Sequence, residues 1–201
     1  PLNAVYTFTP YQLYDNCANA KDLSPLTAVC TGATYNINNA VTSGSAICAT
    51  TNVADVWFKI TKPIGVSNIT VTTLSASPAC QSVSGTSVEV FSSCGGASLG
   101  CATTSVANPG FGEVTLSRGP CISETLYIRV TNDGDIGGKF NICVKNSGAV
   151  AGVGNTCGNP NWICSLPFNY VGTTAGSIDN YDSTSSVCHT LYMNGEDYVF
   201  G

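Results

Sequence analysis

Seven consecutive residues, Asp55-Val56-Trp57-Phe58-Lys59-Ile60-Thr61, constrain this chain more than any other stretch. On an extended backbone Val56, Phe58 and Ile60 fall on one side, and Asp55, Trp57, Lys59 and Thr61 on the other. Successive side chains of a strand point to opposite faces, so this alternation specifies a strand half-buried against a core. The rest of the chain agrees. Only 9% of its residues are charged, against about 25% in ordinary globular chains. Ser, Thr, Asn and Gly stand where helices would carry Lys and Glu. Further strands are expected at 33–38, 68–74, 87–91, 113–116, 125–131 and 139–145, and the only helical signal is a turn near 16–22.

Short strands separated by Gly, Pro and Asn clusters predict an all-β chain, a jelly-roll-like β-sandwich stapled by disulfides, with a barrel as the alternative. The cluster Asn132-Asp133-Gly134-Asp135-Ile136-Gly137-Gly138 is expected to close a hairpin between the last two strands.

Eleven cysteines in 201 residues point to disulfides in an oxidising compartment. No Cys-x-x-Cys pair of the zinc-binding kind occurs. The cysteines also expose a repeat. Cys17 is followed 15 positions later by Gly32-Ala33-Thr34 and then by Cys48, just as Cys157 is followed by Gly172-Thr173-Thr174 and Cys188. Leu26 and Leu166 hold matching places 140 residues apart, and Asp55-Val56-Trp57-Phe58 has an echo in Asp197-Tyr198-Val199-Phe200. A module of about 140 residues therefore starts twice. The parse is an N-terminal strand or linker at 1–14, a sandwich at 15–145, a glycine-rich linker at 146–156 and the incomplete start of a second module at 157–201.

Forty-five residues bury too little surface to form a sandwich alone. Because the chain also opens on Pro1 without a leader pattern, it is expected to be a processed chain or a piece of a longer one. Alternatively, strands of a neighbouring molecule complete the second unit and build a filament. The shared spacing of 31 residues predicts the pairs Cys17–Cys48 and Cys157–Cys188, each worth roughly 3 to 4 kcal/mol in the chain-entropy picture. Cys94 and Cys101 bracket a glycine loop and are expected to staple it, while Cys30, Cys80, Cys121, Cys143 and Cys164 have no assigned partner.

With these residues in view a family resemblance emerges. Asp15-Asn16-Cys17-Ala18-Asn19-Ala20, Gly32-Ala33-Thr34, Cys48, Asp55-Val56-Trp57-Phe58-Lys59-Ile60, Leu126-Tyr127-Ile128-Arg129-Val130 and Gly138-Lys139-Phe140-Asn141-Ile142-Cys143-Val144 resemble the repeated β-sandwich modules of large proteins secreted and displayed by Bacteroidetes. These modules are similar in pattern to bacterial pre-peptidase C-terminal domains. The resemblance implies a secreted or cell-surface protein, exported by the type IX route, in an adhesive or stalk role. Service as an accessory module of a secreted hydrolase is the other role it implies. It brings no catalytic residues.

The residues themselves narrow the partners. The net charge is −5 and all seven Lys and Arg lie before position 146, so nucleic acid, which requires basic neutralisation of phosphates, is not an expected partner. No apolar run approaches the roughly 20 residues of a membrane span. The single histidine, His189, directly follows Cys188, and no nucleophile elbow or zinc-protease motif occurs, so no enzyme is expected. No cofactor is expected either. Calcium favours oxygen ligands, which makes Asn132, Asp133 and Asp135 the metal candidates and Asp179, Asn180 and Asp182 a weaker set, although such clusters also build turns.

A surface glycan, a protein ligand or a neighbouring module is the expected partner. Tyr11, Tyr14, Trp57 and Trp162 are the aromatic contacts on offer. Trp57 leads them, because the face opposite Val56, Phe58 and Ile60 should meet solvent or the next module.

Overall fold

The structure is a computed structural model, and it describes residues 13–26, 33–44, 48, 54–76, 82–103, 110–132, 137–146, 163–169, 171 and 200. Among them the regular elements are β1 (Lys21–Asp22), β2 (Ala33–Asn36), β3 (Asp55–Lys62), β4 (Asn68–Ser75), β5 (Thr86–Phe91), β6 (Ser98–Ala102), β7 (Glu113–Ser117), β8 (Glu124–Asn132) and β9 (Lys139–Asn146). One turn of 3-10 helix, Cys17–Asn19, precedes β1, where Asn16 caps it by accepting from the Asn19 amide at 3.1 Å. That short turn is all that became of the helical signal.

The strands form two sheets in the orders β1-β3-β8-β5-β6 and β2-β9-β4-β7. Neighbours run antiparallel except β1, which lies parallel to β3. The alternation read from the sequence supplies the core. Val56, Phe58 and Ile60 of β3 and Leu126, Ile128 and Val130 of β8 face Ile69 and Val71 of β4 and Phe140 and Ile142 of β9. Each such side chain contributes about 1.5–3 kcal/mol by leaving water. Phe58 anchors the packing, with its ring 4.9 Å from Tyr35 and 6.1 Å edge-on from Phe140. The expected all-β sandwich is what forms.

Lys62 shares the inward parity of Ile60, and it is completely buried. Its ammonium is held by backbone carbonyls at the end of the sandwich: Val66 at 2.8 Å, Gly119 at 2.9 Å and Ile122. Burial lowers its pKa, and the carbonyls supply the hydrogen bonds that a buried ammonium needs.

Two expectations are corrected. β8 and β9 do not form a hairpin, because β8 pairs with β3 and β5 while β9 pairs with β2 and β4. The chain crosses from one sheet to the other through the turn-rich segment. Turn chemistry marks where a chain reverses and is silent about which partner it meets. The segment read as a stapled glycine loop instead carries β6, an edge strand on β5 with a register shift at Val90/Phe91.

The disulfides are also rearranged. Cys17 bonds to Cys94 (Cα–Cα 5.6 Å) and Cys48 to Cys101 (5.9 Å), rather than Cys17 to Cys48 and Cys94 to Cys101. All four cysteines are bonded as expected, but each bond ties the segment before β3 to the β5–β6 hairpin. Cys121 bonds to Cys164 (5.0 Å), linking the loop before β8 to a residue assigned to the second module. Cys143 is also disulfide-bonded. Cys157 and Cys188 lie outside the described residues.

Candidate functional site

The outward side chains of the five-stranded sheet fall into cross-strand rows. Pairing of β3 with β8 and of β8 with β5 sets Asp55 beside Thr131 and Ser87, and sets Trp57 beside Arg129 and Glu89. Such positions in a sandwich normally meet water. Here they do not: Asp55 is 0% exposed, Glu89 2%, Arg129 4% and Trp57 6%.

The cover comes from the segment before β3 and the tip of the β5–β6 hairpin, joined by Cys17–Cys94 and Cys48–Cys101. Trp57 therefore lies on the expected face, but that face is neither solvent nor a free surface. Alternation told which way the indole points, whereas the cover is built by long-range disulfides that alternation cannot reveal.

Asp55 organises the cover. One carboxylate oxygen accepts from the Ser43 hydroxyl at 2.6 Å and from the Trp57 indole Nε1 at 3.0 Å. The other accepts from the Ser43 amide at 2.7 Å and from Arg129 Nε at 3.1 Å and Nη2 at 2.7 Å. Arg129 also donates to the Gly44 carbonyl. Its guanidinium carbon stands 5.8 Å from the centre of the Trp57 ring, and that ring is 5.4 Å from Phe91. A buried arginine that is paired, hydrogen-bonded and stacked satisfies the conditions under which a charge survives away from water. Asp15 extends the network by accepting from the Val41 amide at 2.7 Å.

Glu89 is the exception. Arg129 Nη1 approaches one of its oxygens only to 4.0 Å, and neither oxygen has a hydrogen-bond partner among the described residues. A cavity of about 480 Å³ adjoins it, walled by Ser43, Trp57, Glu89, Phe91, Gly96 and Arg129. Pockets of roughly this size, apolar with a few convergent polar groups, are where ligands bind.

The other residues singled out from the sequence fare differently. Tyr14 is half-buried, packed 5.5 Å from Phe58 and 5.8 Å from Tyr35, with its hydroxyl donating to the Asn36 carbonyl at 3.4 Å. Burial raises its pKa. It serves the core rather than a surface. Asn132 is buried at the end of β8, with its amide donating to the Ala54 carbonyl at 3.0 Å. Its proposed calcium partners Asp133 and Asp135 lie outside the described residues, as do Tyr11, Trp162, Asp179, Asn180, Asp182 and His189.

Glu89 and Arg129 were not foreseen. The signal existed, since each is a lone charge at an outward position between apolar neighbours in Ser87-Val88-Glu89-Val90 and Ile128-Arg129-Val130. Only the strand pairing shows that the two meet.

Against known proteins, residues 13–115 match a family described as galactose binding domain-like and associated with type IX secretion. No curated protein matches the chain. Among solved structures, the pre-peptidase C-terminal domain of collagenase from Bacillus anthracis aligns over 69% of this chain and 100% of its own, at 12% identity and a TM-score of 0.40. A likeness that slight supports no conclusion about function.

Proposed function

The chain belongs to the galactose binding domain-like family associated with type IX secretion, and from that premise we propose that it is a non-catalytic surface module of a larger adhesive or stalk protein. In this reading the module holds a partner at the covered outer face of the five-stranded sheet. The observation that carries the reading is the cavity walled by Trp57, Phe91, Arg129 and Glu89, in which a buried carboxylate lacks hydrogen-bond partners among the described residues. Aromatic walls supply contact area, and the polar groups at the floor supply orientation.

Disulfide-bonded segments suit an extracellular setting. Service as the binding module of a secreted hydrolase would use the same cavity, and a linked catalytic domain in the complete protein is what separates the two roles. The family's descriptive name makes saccharides one ligand class to test, and proteins are the other.

The experiment is binding of the 201-residue chain to arrayed glycans and surface proteins. Wild type is compared with Ala97→Trp, in which an exposed residue on the cavity wall is enlarged. Retained folding with binding lost from the variant is the expected result. Equal binding by both chains would place the partner elsewhere, and binding by neither would count against both ligand classes.

A further inference from the structure

The charges around the cavity do not balance. Asp55 and Arg129 satisfy one another through two nitrogen–oxygen contacts of 3.1 and 2.7 Å. That leaves Glu89 as an excess carboxylate, 2% exposed, with its nearest cation 4.0 Å away and no hydrogen-bond partner for either oxygen among the described residues. The chain has seven Lys and Arg, all described, and Arg129 is the only one to come within ion-pair distance of Glu89. A buried carboxylate without a donor costs a large desolvation penalty, which a fold retains where a partner relieves it.

Beside it stand the rings of Phe91 and Trp57, whose faces attract cations. A divalent metal ion fits this setting poorly, because calcium takes about six to eight oxygen ligands and the Glu89 carboxylate supplies two. A neutral sugar would donate hydrogen bonds but leave the charge uncompensated. An organic monocation with several N–H donors and an apolar stem answers all of these features at once.

We propose that the cavity receives a primary ammonium group borne by a protein partner, with Glu89 as its acceptor and the packed rings of Phe91 and Trp57 along one side of its stem. A lysine side chain and a chain N-terminus carry the same chemistry. This rests on the reading of the cavity as the module's binding site, and it adds the class of ligand.

The test follows the Trp57 indole N–H signal of the isotope-labelled full chain by NMR, in a Trp162→Phe background so that one indole remains. Four probes are titrated: Nα-acetyl-lysine amide for the side-chain ammonium, glycinamide for the terminal ammonium, the norleucine analogue as the uncharged isostere, and galactose. Saturable shifts with one or both ammonium probes and none with the isostere are expected. Glu89→Gln, which keeps the shape and removes the charge, should weaken ammonium binding at least tenfold, and Ala97→Phe, which enlarges the same wall position without adding an indole, should abolish it.

Equal affinity of wild type and Glu89→Gln for the ammonium probes overturns the proposal, as does equal binding of the isostere. Shifts with galactose alone overturn the ammonium assignment while leaving the cavity as a binding site. No shift with any probe, together with array binding indifferent to Ala97→Trp, overturns both. Should Glu89→Gln fail to fold, the salt dependence of lysine-probe binding replaces it, and binding insensitive to ionic strength counts against the proposal.

Discussion

The two sheets present outward faces of similar polarity in sequence and opposite construction in space. On the four-stranded sheet, hydroxyls pair with single polar groups across strands: Thr70 with Thr115 at 3.0 Å, Thr72 donating to Glu113 at 2.8 Å and Thr34 donating to Asn141 at 2.5 Å. These are local contacts between adjacent strands. On the five-stranded sheet, Asp55, Arg129 and Glu89 lie under a cover fastened by two disulfides spanning 77 and 53 residues. The first face needs only its own strands, whereas the second depends on segments distant in sequence. One face finishes a sandwich, and the other encloses a site.

The largest expected effect separates the faces by energy. Arg129→Met leaves Asp55 buried without its cation, and removing one partner of a buried pair costs about 3–5 kcal/mol. Urea unfolding should show that loss as a lowered midpoint. A loss below about 1 kcal/mol would put this pair in the class of surface ion pairs and erase the contrast.

Replacing Cys17 and Cys94 together by Ser should cost about 2–4 kcal/mol, accompanied, in the Trp162→Phe background, by a red shift of Trp57 emission as the cover loosens. Destabilisation without any change in emission would mean that the disulfide does not hold the cover closed.

Outside both faces, Arg118 binds Glu124 through contacts of 2.9 and 2.7 Å and holds its carboxyl below the usual glutamate range. A depressed carboxylate pKa adds stability above the unfolded value of about 4.3, and that stability is lost as pH falls through the folded value. Partial exposure limits the contribution to about 1 kcal/mol or less. Glu124→Gln should remove this share of the acid-dependent loss of stability, and an unchanged pH profile would contradict it.

The smallest effect belongs to the four-stranded face. Thr115→Val removes one hydroxyl from a cross-strand pair, and such pairs are worth roughly 0.2–1 kcal/mol. A loss as large as that of Arg129→Met would break the comparison from the other side.

How much of this was legible in the sequence follows from the range of each signal. Period-two patterning is local, so β3, β4, β5, β8 and β9 were found close to their observed bounds, and Val56, Phe58 and Ile60 were correctly turned inward. The resemblance to type IX-exported modules is borne out by the family match over residues 13–115. β6 escaped notice because Ser98, Gly100 and Ala102 lack the branched and aromatic side chains that mark a strand. β1 is two residues long and leaves no periodicity to read.

The disulfides escaped for a different reason. Equal spacing of cysteines is silent about pairing, because bonding depends on which segment lies across which hairpin. The site was half legible. Trp57 was named and its direction given, but Glu89 and Arg129 become neighbours only through the pairing of β5 with β8.

Around Asp55, Trp57, Glu89 and Arg129 the outer face of the five-stranded sheet is enclosed. Hydrogen exchange of the Trp57 indole N–H, in the Trp162→Phe background, tests that enclosure most directly, because that proton is donated to Asp55 and Ser43 beneath the cover. Exchange slowed by orders of magnitude in the oxidised chain, and accelerated when Cys17–Cys94 is removed while the sandwich stays folded, is the predicted result. Exchange at the rate of a free indole in the intact, folded chain would contradict it.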